Sequence, residues 1–111
     1  MEETELAVYL KALGDPTRFT IYRSLLERKH CVRSLSKKQG ISESAVSQHM
    51  KILREAGLVE GEKYGLHTHY FPKTERLERL CAAFDAMRER SAALDRSGGV
   101  CSCEYREGER A

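Results

Sequence analysis

No apolar run in this chain is long enough to span a bilayer; LAVYL at residues 6–10 is typical of the longest. The N-terminus, MEETELAV, opens acidic and has no apolar secretory core, so it reads as no signal peptide and the chain as cytoplasmic. Internal repeats and low-complexity segments are missing. So are a Ser/His/Asp set, a phosphate loop and carboxylates paired as on a cleft wall, and the chain reads as no enzyme. After His69 there is no further histidine.

What is present fits one small domain. The 111 residues are 41% hydrophobic and 32% charged, ordinary for a globular or helical protein. The four cysteines, in a reducing compartment, read as ligands or sensors rather than staples. The formal charge is only +2, but it is unevenly spread. Residues 28–54 carry Arg28, Lys29, Arg33, Lys37, Lys38, Lys51 and Arg54 against the single acid Glu43. A basic middle in a mildly acidic chain is a footprint for a polyanion, and equally the solvated face of a charged helical protein.

Hydrophobic periodicity divides the chain. Leu6, Tyr9, Leu10 and Leu13 give a helical face over residues 3–13, stopped by Gly14. Asp15-Pro16 restarts a helix as N-cap and first residue, with Phe19, Tyr22, Leu25 and Leu26 on its apolar side and Ile21 beside them. After the polar break RKHC, VRSLSKKQ (32–39) is a short helix stopped by Gly40. Ser42 caps the next, residues 43–56, which turns Val46, Met50 and Leu53 inward and ends at Gly57. Residues 58–71 read as a two-stranded hairpin turning at Tyr64-Gly65 and bounded by Pro72. Thr74 caps a long helix of roughly 75–95 striped by Leu77, Leu80, Cys81, Phe84, Met87 and Leu94. A stripe that long at a chain end is most simply covered by a partner subunit. The expected class is mainly α (α+β): residues 1–97 as one domain, with Gly98-Gly99 as a hinge into a flexible Cys-containing tail over 98–111.

VRSLSKKQ, the GIS turn and ESAVSQHMKIL form a helix-turn-helix, and the hairpin after it is a wing. The second helix can enter the major groove of DNA with its outward residues Ser44, Ala45, Ser47, Gln48 and Lys51. Gln pairs with adenine, Ser reads a base or phosphate, and an Ala methyl meets a thymine methyl. Lys63 and His67 near the wing tip, with Lys37 and Lys38 on the preceding helix, suit phosphates.

LKALGDPTRFTIYRSLLE, GISESAVSQHMKILREAGLV and the Lys63–Tyr70 hairpin resemble the ArsR/SmtB family of bacterial transcriptional repressors, over about residues 5–95. The resemblance implies a winged helix-turn-helix homodimer paired through its first and last helices. It implies a palindromic double-stranded DNA operator, with release when a metal or metalloid binds. It also implies His49 near a phosphate or packed at the turn. The family's terminal-helix site of Asp, His and Glu is not matched, since Asp85 and Glu89 have no histidine companion. Its Cys-Val-Cys pair at the start of the helix-turn-helix is half matched: Cys31 stands at the first position and Arg33 at the second.

Arsenite takes three thiolates, and cadmium or lead three or four. Cys31 with Cys101 and Cys103 makes three, and a helix N-terminus beside Arg33 and His30 favours the thiolate. The six residues from Asp95 to Cys101 reach at most about 20 Å, which bounds where such a site can form. Other readings stand beside this one. Cys31 can be a small buried residue, Cys101 and Cys103 incidental tail thiols, and Cys81 core or a fourth ligand. His67 and His69 share a hairpin face, as solvent-facing residues or as a metal pair. At the level of function the alternatives are a thiol-redox sensor of the same fold, a repressor without an effector, and a protein-docking winged helix.

Overall fold

Caps set most of the helix boundaries. In the computed structural model, which describes residues 1–94, 96, 99 and 101–103, helix α1 spans Glu3–Leu13 and α2 Pro16–Glu27. The Asp15 carboxylate accepts from the Arg18 amide at 2.9 Å, and Pro16 follows as the first helical residue. Helix α3 covers Val32–Gln39 and closes at Gly40, whose φ of 68° is a left-handed conformation that suits glycine. Helix α4 runs Glu43–Glu55 behind Ser42, whose hydroxyl accepts from the Ala45 amide at 3.0 Å. Strands β1 (Val59–Tyr64) and β2 (His67–Pro72) pair antiparallel, from Val59 opposite Pro72 to Tyr64 opposite His67. The turn is therefore Gly65-Leu66, one residue later than the sequence suggests. Helix α5 spans Thr74–Ala92 and is shorter than expected at its C-terminal end. Its N-cap is Lys73 rather than Thr74, with no side-chain cap.

One core joins the helices to the base of the hairpin. It contains Tyr9 from α1, Ile21, Tyr22 and Leu25 from α2, Leu35 from α3, and Val46, Met50 and Leu53 from α4. Ala12, Leu58, Val59, Tyr70 and Leu80 complete it. The wing is anchored at its root: the Tyr70 amide donates to the His30 carbonyl and the Lys73 amide to the Leu58 carbonyl, both at 2.9 Å. Polar contacts tie α1 to α5. Arg76 Nη1 donates to the Tyr9 hydroxyl at 2.7 Å, Tyr9 donates to Glu5 at 3.0 Å, and Arg79 pairs with Glu5 at 2.8 Å.

The apolar faces of α1, α2 and α5 are only partly absorbed. Leu10, Phe19, Leu26, Phe84, Met87 and Leu94 are all exposed, although periodicity assigns them to buried stripes. Cys81, expected in the core, is exposed as well, because the groove it lines beside Leu77 and Leu80 is left open. With Leu10, Leu13, Phe19, Leu77 and Phe84 it lines an apolar groove of about 560 Å³. The Tyr22 hydroxyl beside that groove is buried and has no partner among the described residues. Periodicity reports which face is apolar; it does not report whether this chain or another covers it. Gly98 and the tail beyond Cys103 lie outside the described residues.

Candidate nucleic-acid interface and thiol site

The helix-turn-helix presents α4 with its core and solvent sides cleanly separated. Val46, Met50 and Leu53 are buried, whereas Ser44, Ser47, Gln48 and Lys51 are exposed. Ala45, expected to face outward with them, is half-buried instead, at the end of the capped first turn. Lys37 and Lys38 stand exposed in the last turn of α3, and Lys63 is exposed on β1. The amides at the start of α4 and these cations are surface groups of the kind that suit phosphates, and Ser44 and Ser47, exposed on the first turns of α4, have short side chains. The wing is not uniformly basic, since Glu60 and Glu62 are exposed on β1. Lys29, outside the expected contact set, lies 5.2 Å over the Tyr64 ring and adds a cation near the tip.

His49 is placed differently from the other α4 residues. Its Nδ1 lies 3.3 Å from Arg18 Nη1 and 4.0 Å from Asp15 Oδ2, so it is packed against the start of α2. Arg18 was not singled out by sequence reasoning; the only local signal is its position three residues after the capping Asp15. His67 is exposed at the wing tip, but His69 is half-buried and stacked on Tyr64 with ring centroids 4.7 Å apart.

Cys31 is the N-cap of α3. Its Sγ accepts from the Ser34 amide at 3.5 Å, and the Ser34 hydroxyl accepts from the Cys31 amide at 3.1 Å. Burial pushes this thiol up. Hydrogen bonds from the Ser34 amide and hydroxyl and from the Arg33 and Cys31 amides outweigh that and hold it below the ordinary thiol value. Cys31 is half-buried on a polar cleft of about 500 Å³ shared with Arg33, Glu43, His67, Thr68 and Tyr70. Behind it His30 is buried, with Nδ1 3.0 Å from the Ser34 hydroxyl.

Cys101 and Cys103 are exposed. The Cys101 thiol is also lowered, chiefly by hydrogen bonds from the Cys103 amide and thiol. Soft thiolates are the right donors for a thiophilic ion. Among the described residues, however, no three His, Cys, Asp or Glu side chains converge as a metal site, so Cys31, Cys101 and Cys103 are not assembled in this structure. No described helix is long and apolar enough to cross a membrane.

Comparison with known proteins adds to this geometry. The sequence model of the bacterial regulatory protein arsR family matches residues 15–61, from the α2 cap into the wing. Over 61 residues the chain is 41% identical to the HTH-type transcriptional repressor SmtB of Mycobacterium tuberculosis, covering 55% of this chain and 45% of that protein. It therefore spans about half the length of such relatives. Over 80 residues it is 35% identical to the arsenical resistance operon repressor of Bacillus subtilis, covering 67% of this chain and 76% of that one. The fold matches an ArsR-like transcriptional regulator from Rhodococcus sp. RHA1 with a TM-score of 0.73 and 27% identity, over 80% of this chain and 84% of that one.

Proposed function

The chain belongs to the ArsR family of bacterial regulatory proteins, and on that footing we propose that it is a dimeric, DNA-binding transcriptional repressor that a thiophilic metal or metalloid releases from its operator. The exposed row Ser44, Ser47, Gln48 and Lys51 reads base edges, Ala45 meets a methyl group, and Lys37, Lys38 and Lys63 hold phosphates. The groove between α1, α2 and α5, with Phe84 and Met87 each 45% exposed beside it, supports pairing with a second copy. Two copies would set their α4 helices one DNA turn apart on a palindromic duplex.

The observation that carries the effector half of this reading is Cys31. It is a thiol held below its ordinary value at the N-cap of the first helix of the helix-turn-helix, where a bound ion can act on α3 directly. Cys101 and Cys103 supply the remaining soft donors, from the same or the partner chain. Arsenite is the favoured effector, with cadmium or lead next, because three thiolates suit them. A 100-fold loss of operator affinity requires about 2.7 kcal/mol of coupling, within the range of known allosteric systems.

The test is fluorescence anisotropy of the reduced protein on its promoter DNA, titrated with arsenite, cadmium, lead and zinc. Release by a thiophilic ion, abolished by Cys31→Ser, is the expected result. Release by every ion unchanged in Cys31→Ser would remove Cys31 from the site. The lowered Cys101 thiol supports one second reading, a thiol-redox sensor, in which peroxide alone releases the DNA and a reductant restores binding.

A further inference from the structure

Arg18 touches three helices. Its amide donates to the Asp15 carboxylate that caps α2. Its guanidinium reaches back to the end of α1, where Nε donates to the Ala12 carbonyl and Nη2 to the Lys11 carbonyl at 3.4 Å. The last carbonyls of a helix have no partner inside it, and a cation there also meets the negative end of the helix dipole. On its other edge Nη1 lies 3.3 Å from His49 Nδ1 on α4. A guanidinium carries donors only, so in this contact His49 Nδ1 is the acceptor.

We infer that Arg18 and His49 form the joint through which α1 sets the pose of α4, and that His49 is a positioning residue for operator recognition rather than a DNA contact. The inference rests on the reading of α4 as the helix that enters the major groove. Apolar packing is non-directional and leaves the angle between two helices loosely defined. A planar fork of donors, held at one edge by two α1 carbonyls and at the other by a ring nitrogen, defines angle as well as distance. Base readout depends on that angle, because Gln48 and the serines must reach base edges at hydrogen-bond distance. Attraction to phosphates does not depend on it in the same way. α1 also lines the apolar groove through Leu10 and Leu13, so the joint connects the proposed pairing face to the DNA-reading face.

The experiment measures affinity for an operator duplex and for a scrambled duplex of equal length across a salt series. The proteins are the wild type, Arg18→Lys, His49→Leu, His49→Asn and the Arg18→Lys/His49→Leu double variant, with melting curves to confirm folding. His49→Leu is expected to lower operator affinity about tenfold while leaving the scrambled duplex and the salt slope unchanged. His49→Asn, whose side-chain carbonyl can stand where Nδ1 does, should recover most of the loss. The double variant should be no weaker than the weaker single variant. Losses that multiply in the double variant, or a His49→Leu that weakens both duplexes and flattens the salt slope, would overturn the joint, the latter by making His49 a phosphate contact. Unchanged operator affinity in His49→Leu overturns it as well. Should Arg18→Lys fail to fold, the operator-to-scrambled ratio of the two His49 variants decides alone. A wild type without salt-dependent DNA affinity refutes the DNA-binding reading itself, a separate outcome.

Discussion

Cys31 and Ser34 cap each other at the start of α3: the Ser34 amide donates to Cys31 Sγ at 3.5 Å and the Cys31 amide to the Ser34 hydroxyl at 3.1 Å. The same thiol is therefore a structural cap and the proposed effector ligand. Substitution can separate the two roles. Serine is among the best N-caps, so Cys31→Ser should keep the melting temperature of the wild type while losing the ion response. Cys31→Ala removes the cap and should cost about 1 kcal/mol. Melting curves beside the anisotropy titration distinguish these outcomes; a Cys31→Ser protein that melts as early as Cys31→Ala would show that the cap is not what the sulfur supplies.

The lowered Cys31 thiol has a kinetic consequence. Only the thiolate is nucleophilic, and the hydrogen bonds from Ser34 and Arg33 favour it. The pH profile of Cys31 alkylation by iodoacetamide, followed by peptide mass spectrometry, should inflect below that of a free thiol. Ser34→Ala removes the hydroxyl and should move the inflection upward. An inflection at or above the free-thiol value would contradict the cap geometry.

Stability should fall on mild acidification because of His30. The side chain is 8% exposed and is held below its ordinary value, first by burial and then by the charges of Lys38 and Arg28. An unfolded histidine takes up a proton as pH falls through about 6.5, while the folded one resists it. The unfolded state then binds more protons, and stability declines with pH. The contribution is complete above that pH and is lost as pH falls through the folded value. Melting temperatures between pH 7.5 and 5 should drop for the wild type and drop less for His30→Gln. Asp15, also lowered, acts only near the carboxylate range and does not blur the comparison.

A side chain at residue 61 must displace a neighbour on β2. A Cβ on Gly61 would meet Thr68 Cγ2 at 2.8 Å and Tyr70 Cε1 at 3.2 Å, and Tyr70 is part of the core. Gly61→Val should cost about 1–3 kcal/mol through overpacking. DNA affinity of the variant that remains folded should fall, as the wing with Lys63 is displaced. A melting curve within error of the wild type would mean that the hairpin shifts freely.

Phe84→Glu tests the pairing face. Phe84 is half-exposed on the groove between α1, α2 and α5, and burying such a side chain against a second copy is worth about 1.5–3 kcal/mol. Sedimentation velocity should show the wild type as a dimer and the variant as a monomer at micromolar concentration. A variant that dimerises as tightly as the wild type would place the interface elsewhere.

Several features were already readable as local chemistry. Asp15-Pro16, Ser42 and Gly40 mark helix ends because each cap is settled by a few neighbouring atoms, and the structure has them where the residues place them. The same holds for the inward row Val46, Met50 and Leu53 and for the hairpin after α4. Lys73 as the cap of α5 was not readable, because Thr74 carries the stronger propensity and the strand end at Pro72 decides the boundary.

The sequence by itself determined the order of the elements, the helix-turn-helix and the exposure of Ser44, Ser47, Gln48 and Lys51 on α4, since these follow from spacing and caps within a few residues. Only the tertiary structure decided that His49 turns to Arg18, that Cys81 is exposed, and that Leu10, Phe19 and Phe84 border one open groove. Those facts depend on how helices far apart in the chain are set against one another. Periodicity records that a face is apolar or polar, but the partner it meets is fixed by packing in three dimensions.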